Sequence, residues 1–338
     1  GPEPEADQTA AARAVPGLRL LPTGLPLDWL AETPAEVEAA SLALSALAAE
    51  AGADLAHLHS PALAAGAGFT VPVAASCHSC VGTWWDTVRG GPLPPDFAWR
   101  ARLVARGCAR ADALLAPTAA FAEATARFYG LAEPPTVIRN GRRPPPPPAR
   151  PAPERRRAPP VAFTAGRLWD EGKNLRAIDR AAGRLAGSVP VLAAGPTDGP
   201  AGARIALHHA RPLGRLRAEE IARRLAERPI FVSAARYEPF GLSVLEAAQA
   251  GCALVLSDIP SFRELWDGAA DFVPADDDRA LAAAVERAAR DPARLGAAAQ
   301  RRAERYTVEA MASGTSALYR ALLRRAATAA SPEETAAA

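Results

Sequence analysis

The chain has 338 residues, 49% of them apolar and 22% charged, with 39 basic against 37 acidic side chains and a formal charge of +2. At roughly 100–200 residues per domain this length predicts two domains, and the balanced charge gives no reason to expect nucleic acid or an acidic lipid surface as partner. Four cysteines make no disulfide framework, and no run reaches the roughly 18 apolar residues of a spanning helix, so a cytoplasmic protein without a transmembrane segment is expected.

Residues 17–21 read as a short apolar strand and 35–51 as a long Ala/Leu helix. Buried strands are predicted over 54–59 and 71–75, the second running into Ser76-Cys77-His78-Ser79-Cys80. A Trp-, Gly- and Pro-rich loop is predicted over 81–95, then a helix over 97–110. A strand and turn follow at 113–118, and then a helix over 121–129 closed by Gly130. A strand at 136–139 ends at the turn signal Asn140-Gly141. The prolines from Pro144 to Pro160 exclude a helix or a central strand and predict an extended linker, with Arg155-Arg156-Arg157 on its solvated surface.

The second half repeats the rhythm. Strands are predicted at 161–165, 190–194, 230–233, 253–256 and 271–273, with helices over 174–186, 219–226, 242–250, 278–290 and 292–304. Short apolar strands alternating with helices argue for parallel sheets covered on both faces, with every strand-end loop on one edge. An amphipathic helix over 308–325 is long enough to brace the first domain, and 327–338 should fray.

Lys173 is the only lysine among the 39 basic residues. It lies in Gly166-Arg167-Leu168-Trp169-Asp170-Glu171-Gly172-Lys173-Asn174, between a predicted strand and helix. Two cations beside free helix-terminal N–H groups call for an anion, and a diphosphate supplies one. Surface pairing with Asp170 and Glu171 is the plain alternative. In Glu238-Pro239-Phe240-Gly241-Leu242-Ser243-Val244-Leu245-Glu246, the glycine permits close backbone approach and a helix start offers N–H groups to an anion. Its two carboxylates could accept sugar or ribose hydroxyls, or serve as the acid/base pair of a hydrolase.

Of five histidines, His57, His59 and His78 lie at two predicted strand ends. Cys77 and Cys80 have the spacing of half a zinc knuckle, but no second pair follows at usable spacing, so no metal is expected. Trp84, Trp85 and Trp99 could stack on an acceptor or merely pack their loop. Leu213-Gly214-Arg215-Leu216 could place backbone beside a base ring.

Together these residues resemble the retaining, nucleotide-sugar-dependent glycosyltransferases of family 4, also called glycosyl transferase group 1, over about residues 54–325. The resemblance is strongest through Gly166-Arg167 with Lys173-Asn174, and through Glu238-Pro239-Phe240-Gly241 with Glu246. Ser257-Asp258-Ile259-Pro260 and Arg263-Glu264 add to it. It implies an α/β chain of GT-B architecture, with two facing Rossmann-like domains built on parallel sheets. Residues 1–150 would be the acceptor-side domain and 151–307 the nucleotide-sugar donor domain, with the helix over 308–325 packing back on the first. The family's first strand ends in a Gly-rich loop that has no counterpart here, so that strand and loop are expected to be missing.

The resemblance also implies roles. Arg167 and Lys173 would hold the donor diphosphate, Glu246 the ribose hydroxyls and Glu238 the hydroxyls of the transferred sugar. Phe240, Gly241, Leu242 and Ser243 would line the sugar and phosphate site, and Leu216 the base pocket. His78 would contact the sugar near the reacting centre. The expected enzyme is bacterial and metal-independent, without a cofactor. It would move a hexosyl group from a UDP or GDP sugar to a small-molecule or glycan acceptor. A silent nucleotide-sugar binder, an epimerase and a phosphorylase are the rivals, although a phosphorylase needs a cofactor lysine and Lys173 is already assigned. A nicotinamide dehydrogenase would need a glycine fingerprint that is not present.

Overall fold

In the computed structural model the chain is described over residues 3–66, 68–144 and 160–330. It forms two sheets of parallel strands with helices packed on them. The linker prolines from residue 145 and the three arginines at 155–157 lie outside the described residues, as do 331–338.

The first part opens with α1 (Ala6–Arg13) and α2 (Pro34–Glu50). Among the described residues no strand precedes β1 (Ala56–Leu58). The strand expected at 17–21 is irregular chain, and Leu18, Leu20 and Leu21 are exposed. Three apolar side chains with no neighbouring strand to complete their hydrogen bonds do not make a strand. Then come β2 (Val73–Ser76), α3 (Val81–Val88), α4 (Pro95–Arg110), β3 (Ala113–Ala116), α5 (Ala119–Tyr129) and β4 (Thr136–Val137), in the sheet order β1-β2-β3-β4. The loop expected over 81–95 thus begins with a helix. Its start is fixed by Cys80, whose sulfur accepts the Thr83 N–H at 3.4 Å in the manner of a cap.

The second part contains β5 (Ala162–Ala165), α6 (Leu175–Leu185), β6 (Val191–Ala194), β7 (Arg211–Gly214), α7 (Ala218–Ala226), β8 (Ile230–Ser233) and α8 (Leu242–Gln249). β9 (Leu254–Ser257), α9 (Pro260–Trp266), β10 (Asp271–Val273), α10 (Asp278–Arg290), α11 (Pro292–Ala303) and α12 (Val308–Ala330) complete it. Its sheet order is β10-β9-β8-β5-β6-β7, and every pairing is parallel. The sequence pattern missed β7 because it is an edge strand whose Arg211 and Pro212 are exposed. It missed α9 because seven residues hold too few turns to display a period.

Period-2 alternation sorts the second sheet's side chains. Ala162, Val191, Ile230, Val232 and Val255 face α6 and α10, meeting Ile178, Leu185, Leu281 and Val285. Phe163, Phe231, Leu254 and Leu256 face the other way and meet Leu245, Phe262, Leu265 and Trp266. Each such valine, leucine, isoleucine or phenylalanine stabilises the fold by about 1.5–3 kcal/mol on full burial.

The helix α12 leaves this second core after Tyr306, whose ring packs edge-on against Phe240 and Trp266. It then crosses to the first sheet, where Leu318, Tyr319 and Leu322 pack with Ala74, Leu115 and Ile138. The return crossing runs against the chain that leaves β4. A Cβ on Gly141 would fall 1.9 Å from the Thr307 carbonyl oxygen, so only glycine fits there. Among the described residues no helix is long and apolar enough to cross a membrane.

Candidate functional site

Parallel strands bring all their C-terminal ends to one edge of each sheet. On the second sheet the loop after β5 carries Arg167 and Lys173, the loop after β7 carries Leu216, and the loop after β8 leads through Glu238 to α8. On the first sheet His59 follows β1, His78 follows β2 and Asn140 follows β4.

The loops after β5 and β8 are pinned together, since the Arg236 N–H donates to the Gly172 carbonyl at 2.9 Å. Lys173 Nζ donates to Glu238 Oε2, and the two side chains are 23% and 15% exposed. The Glu238 side chain lies against Gly241, its Cγ 3.4 Å from where a Cβ would sit. Gly241 opens α8 in the left-handed region, with φ +89°, and no side chain caps the helix. The ammonium is thus close to the start of α8, whose first N–H groups carry the positive end of the helix dipole. Leu242 is exposed there and Ser243 is half-buried.

Arg167 takes a different partner. Its guanidinium donates to Asp170 Oδ2 at 2.9 Å and remains 61% exposed. Asp170 is buried, and its other oxygen accepts the Gly172 N–H at 2.9 Å and Trp84 Nε1 at 3.2 Å. Glu171 pairs with Arg89 at 2.6 Å. The surface alternative therefore applies to Arg167 and not to Lys173.

Glu246 sits in the second turn of α8, 22% exposed, with Arg142 Nε 2.7 Å from its Oε1. Burial raises its pKa above the ordinary glutamate value, against the opposing charge of Arg142. Leu216 is half-buried at the margin of the second core. The Phe240 ring is buried against Tyr306, so only its backbone is free to face a ligand.

At the first sheet's edge three imidazoles stack in a row. The His57 and His59 centroids are 4.9 Å apart, and those of His59 and His78 are 5.2 Å apart. His59 Nδ1 and His78 Nε2 share a hydrogen bond of 2.9 Å. His57 contacts the Tyr319 hydroxyl at 2.5 Å and Ser76 Oγ at 2.8 Å. Burial, and then the neighbouring rings, lower the pKa of His57 to about 4 and lower that of His78 as well. The row lines a half-open cavity of about 360 Å³ together with Asn140, Thr315 and Tyr319.

Several contacts join the two halves. The Tyr237 hydroxyl accepts the Cys80 N–H at 3.2 Å and bonds Thr83 Oγ1 at 2.9 Å. Thr118 Oγ1 donates to the Pro239 carbonyl at 2.9 Å. The Glu264 carboxylate accepts the N–H groups of Ala119 and Ala120 at the start of α5 and pairs with Arg139 at 2.8 Å.

The structure thus gathers Lys173, Glu238 and Gly241, sets Glu246 on the same helix and keeps Arg167 on the adjoining loop. No hydrogen bond, ion pair or ring contact joins His78 to that group among the described residues. Asp170 is the partner that the surface alternative gave to Arg167, whereas Arg142, Tyr237 and His59 are partners that sequence reasoning did not assign. Only Tyr237, next to Glu238, and His59, two residues from His57, carried a local hint. Among the described residues no cluster of three or more His, Cys, Asp or Glu could hold a metal ion.

Comparison with known proteins places the chain. The family description "Glycosyltransferase Family 4" matches residues 3–144, and "Glycosyl transferases group 1" matches residues 159–291. The lipopolysaccharide core biosynthesis mannosyltransferase LpsB of Rhizobium meliloti is 33% identical over 103 residues, which are 28% of this chain and 29% of that protein. The matched segment therefore spans under a third of that relative's length.

Among solved structures, sucrose-phosphate synthase from Thermosynechococcus elongatus aligns with TM-score 0.71 and 19% identity, over 93% of this chain and 83% of that one. Anabaena Alr3699/HepE, solved in complex with UDP and glucose, aligns with TM-score 0.63 and 18% identity, over 81% and 80%. These two show a shared fold, with two sheets arranged as in GT-B enzymes. With one half matching each description, the chain belongs to the group 1 glycosyl transferases of glycosyltransferase family 4.

Proposed function

We propose that the chain moves a hexosyl group from a nucleoside diphosphate sugar to an acceptor hydroxyl, keeping the anomeric configuration. The observation that carries this reading is the Lys173–Glu238 pair seated beside Gly241 at the uncapped start of α8. An ammonium and free helix amides at one point form a site for a diphosphate. When the donor enters, Lys173 turns part of its charge from Glu238 to the phosphates, and Arg167 adds a second cation from the exposed side of the loop. Glu238, relieved of part of its ion pair, accepts hydroxyls of the transferred sugar. Glu246, deeper on the same helix, accepts the ribose hydroxyls in place of Arg142.

As the glycosidic C–O bond lengthens, negative charge collects on the leaving diphosphate. Lys173, Arg167 and the α8 amides stabilise that charge more than the ground state, which lowers the barrier. The acceptor hydroxyl enters from the histidine-lined cavity and loses its proton to a leaving-group phosphate oxygen on the same face. His78, neutral because its pKa is lowered, hydrogen-bonds the sugar without adding a competing positive charge. The bonds from Tyr237, Thr118 and Glu264 hold the two loop edges together and limit access of water. The UDP and glucose bound by Alr3699/HepE support a nucleotide-sugar donor. The four free cysteines support a reducing, cytoplasmic setting.

The test is a calorimetric titration with UDP- and GDP-hexoses, followed by nucleotide release and the anomeric coupling constant of the product. Saturable binding, release and a retained configuration are expected. Absence of binding to every donor removes the diphosphate site, binding without release leaves a silent binder, and an inverted product removes the same-face mechanism.

A further inference from the structure

We propose that Cys77 and Cys80 form a redox-active dithiol, a thiol-modification site that flanks the candidate sugar-contacting residue His78 in the chain. The pair lies in Cys77-His78-Ser79-Cys80, at the end of β2 and the start of α3. Four observations set it apart from two packed cysteines.

First, the two side chains share one cluster, where Cys80 packs against Cys77, Ala116, Phe121 and Ala122; their interaction pushes the Cys77 thiol up and the Cys80 thiol down. Second, the two differ in access. Cys77 is 1% exposed, whereas Cys80 is half-buried behind the exposed His78 and Ser79. A partly exposed cysteine backed by a buried one is the arrangement of an attacking and a resolving cysteine. Third, Cys80 sits where a thiolate is favoured. Its sulfur accepts the Thr83 N–H at 3.4 Å and lies 3.0 Å from Thr83 Oγ1, at the positive end of α3. Fourth, two buried hydroxyls near the pair, of Thr125 and Tyr129, have no hydrogen-bond partner among the described residues.

The reaction is thiol–disulfide exchange with a low-molecular-weight disulfide, RSSR. The Cys80 thiolate attacks one sulfur, forms Cys80–S–S–R and expels RS⁻. Cys77 gives up its proton and attacks the Cys80 sulfur, which closes the Cys77–Cys80 bond and expels the second RS⁻. Both thiolates leave as RSH, so two cysteine thiols are oxidised and one disulfide is reduced. Closing the bond takes the Cys80 sulfur away from Thr83. Thr83 Oγ1 also bonds the Tyr237 hydroxyl, and Tyr237 immediately precedes Glu238. Oxidation therefore shifts His78 on one side of the site and loosens the Tyr237 latch on the other. The dithiol stands by itself, but its effect on turnover rests on the transferase reading above.

The test equilibrates the full chain in mixtures of reduced and oxidised glutathione. Free thiols are trapped with N-ethylmaleimide after an acid quench and mapped by peptide mass. The expected result is a Cys77–Cys80 bond, with Cys108 and Cys252 still alkylated after denaturation. Nucleotide release should fall by at least about ten-fold in the oxidised chain and return with dithiothreitol. Cys77→Ala, which places a small side chain among Ala116, Phe121 and Ala122, should keep its activity at every glutathione ratio. Should the first variant fold poorly, Cys80→Ala, whose basal release is set by the lost Thr83 contact, should likewise show a release that no longer changes with the glutathione ratio.

Both thiols staying alkylated at the most oxidising ratio overturns the proposal, as does a bond to Cys108 in place of the pair. A Cys77–Cys80 bond with unchanged release overturns the coupling to the site. Should the reduced chain release no nucleotide from any donor, the transferase reading fails while the mass map still decides the dithiol.

Discussion

Lys173 and Glu238, 65 positions apart in sequence, form an ion pair that is mostly removed from solvent and lies beside the first turn of α8. A pair of this kind contributes little net stability, because desolvation offsets much of its attraction. Its significance is that the only lysine is held where a dianionic ligand can compete for it.

Removing that charge is the most direct test of the site. Lys173→Ala should lower turnover about 100- to 1,000-fold, the range seen when one group that stabilises leaving-group charge is lost. Lys173→Arg should recover only part of this, because a planar fork replaces a compact point charge. Steady-state nucleotide release on both variants is the measurement, and wild-type turnover in Lys173→Ala removes the diphosphate assignment.

Glu246 should act on binding more than on chemistry. Glu246→Ala removes charged hydrogen bonds to ribose hydroxyls worth about 1.5–3 kcal/mol, so donor Kd should rise roughly 10- to 100-fold with a smaller effect on kcat. Arg142→Ala leaves the carboxylate free and should not weaken donor binding to that extent. Calorimetric Kd values for the two variants decide this, and unchanged affinity in Glu246→Ala counts against the ribose role.

Gly195 supports the arginine loop from beneath. Its φ is +140°, and a Cβ would lie 1.8 Å from the Gly166 carbonyl oxygen, immediately before Arg167. Gly195→Ala must push that turn aside and should destabilise the chain by about 2–4 kcal/mol. Chemical denaturation measures the loss, and a wild-type midpoint would contradict the close approach.

The histidine row predicts a direction with pH. His57 titrates near 6.5 when unfolded and near 4 when folded, so below pH 6.5 the unfolded chain takes up the proton first. The stability linked to this group is fully present above pH 6.5, is lost progressively as pH falls, and levels off below about 4. His78 acts in the same sense. Urea midpoints for the wild type and His57→Gln across this range should show a shallower acid slope in the variant. Equal slopes would remove the linkage.

The sequence by itself determined the alternation of short apolar strands with helices, and hence two parallel sheets, because strand and helix periods are local properties of neighbouring residues. It also marked Lys173, by its rarity, and Gly241, by its place before an apolar helix. The pairings waited on the tertiary structure. Glu238 rather than Asp170 answers Lys173, Arg142 answers Glu246, and His59 answers His78. The turn of helix at Trp84 and Trp85 also escaped the pattern, since its start depends on the sulfur of Cys80 and its outer contact on the distant Asp170. Charge and hydrogen-bond partners are chosen by which loops share a sheet edge and which helix crosses back. Those adjacencies follow from strand order and from the path of α12, and neither is written in any short stretch of residues.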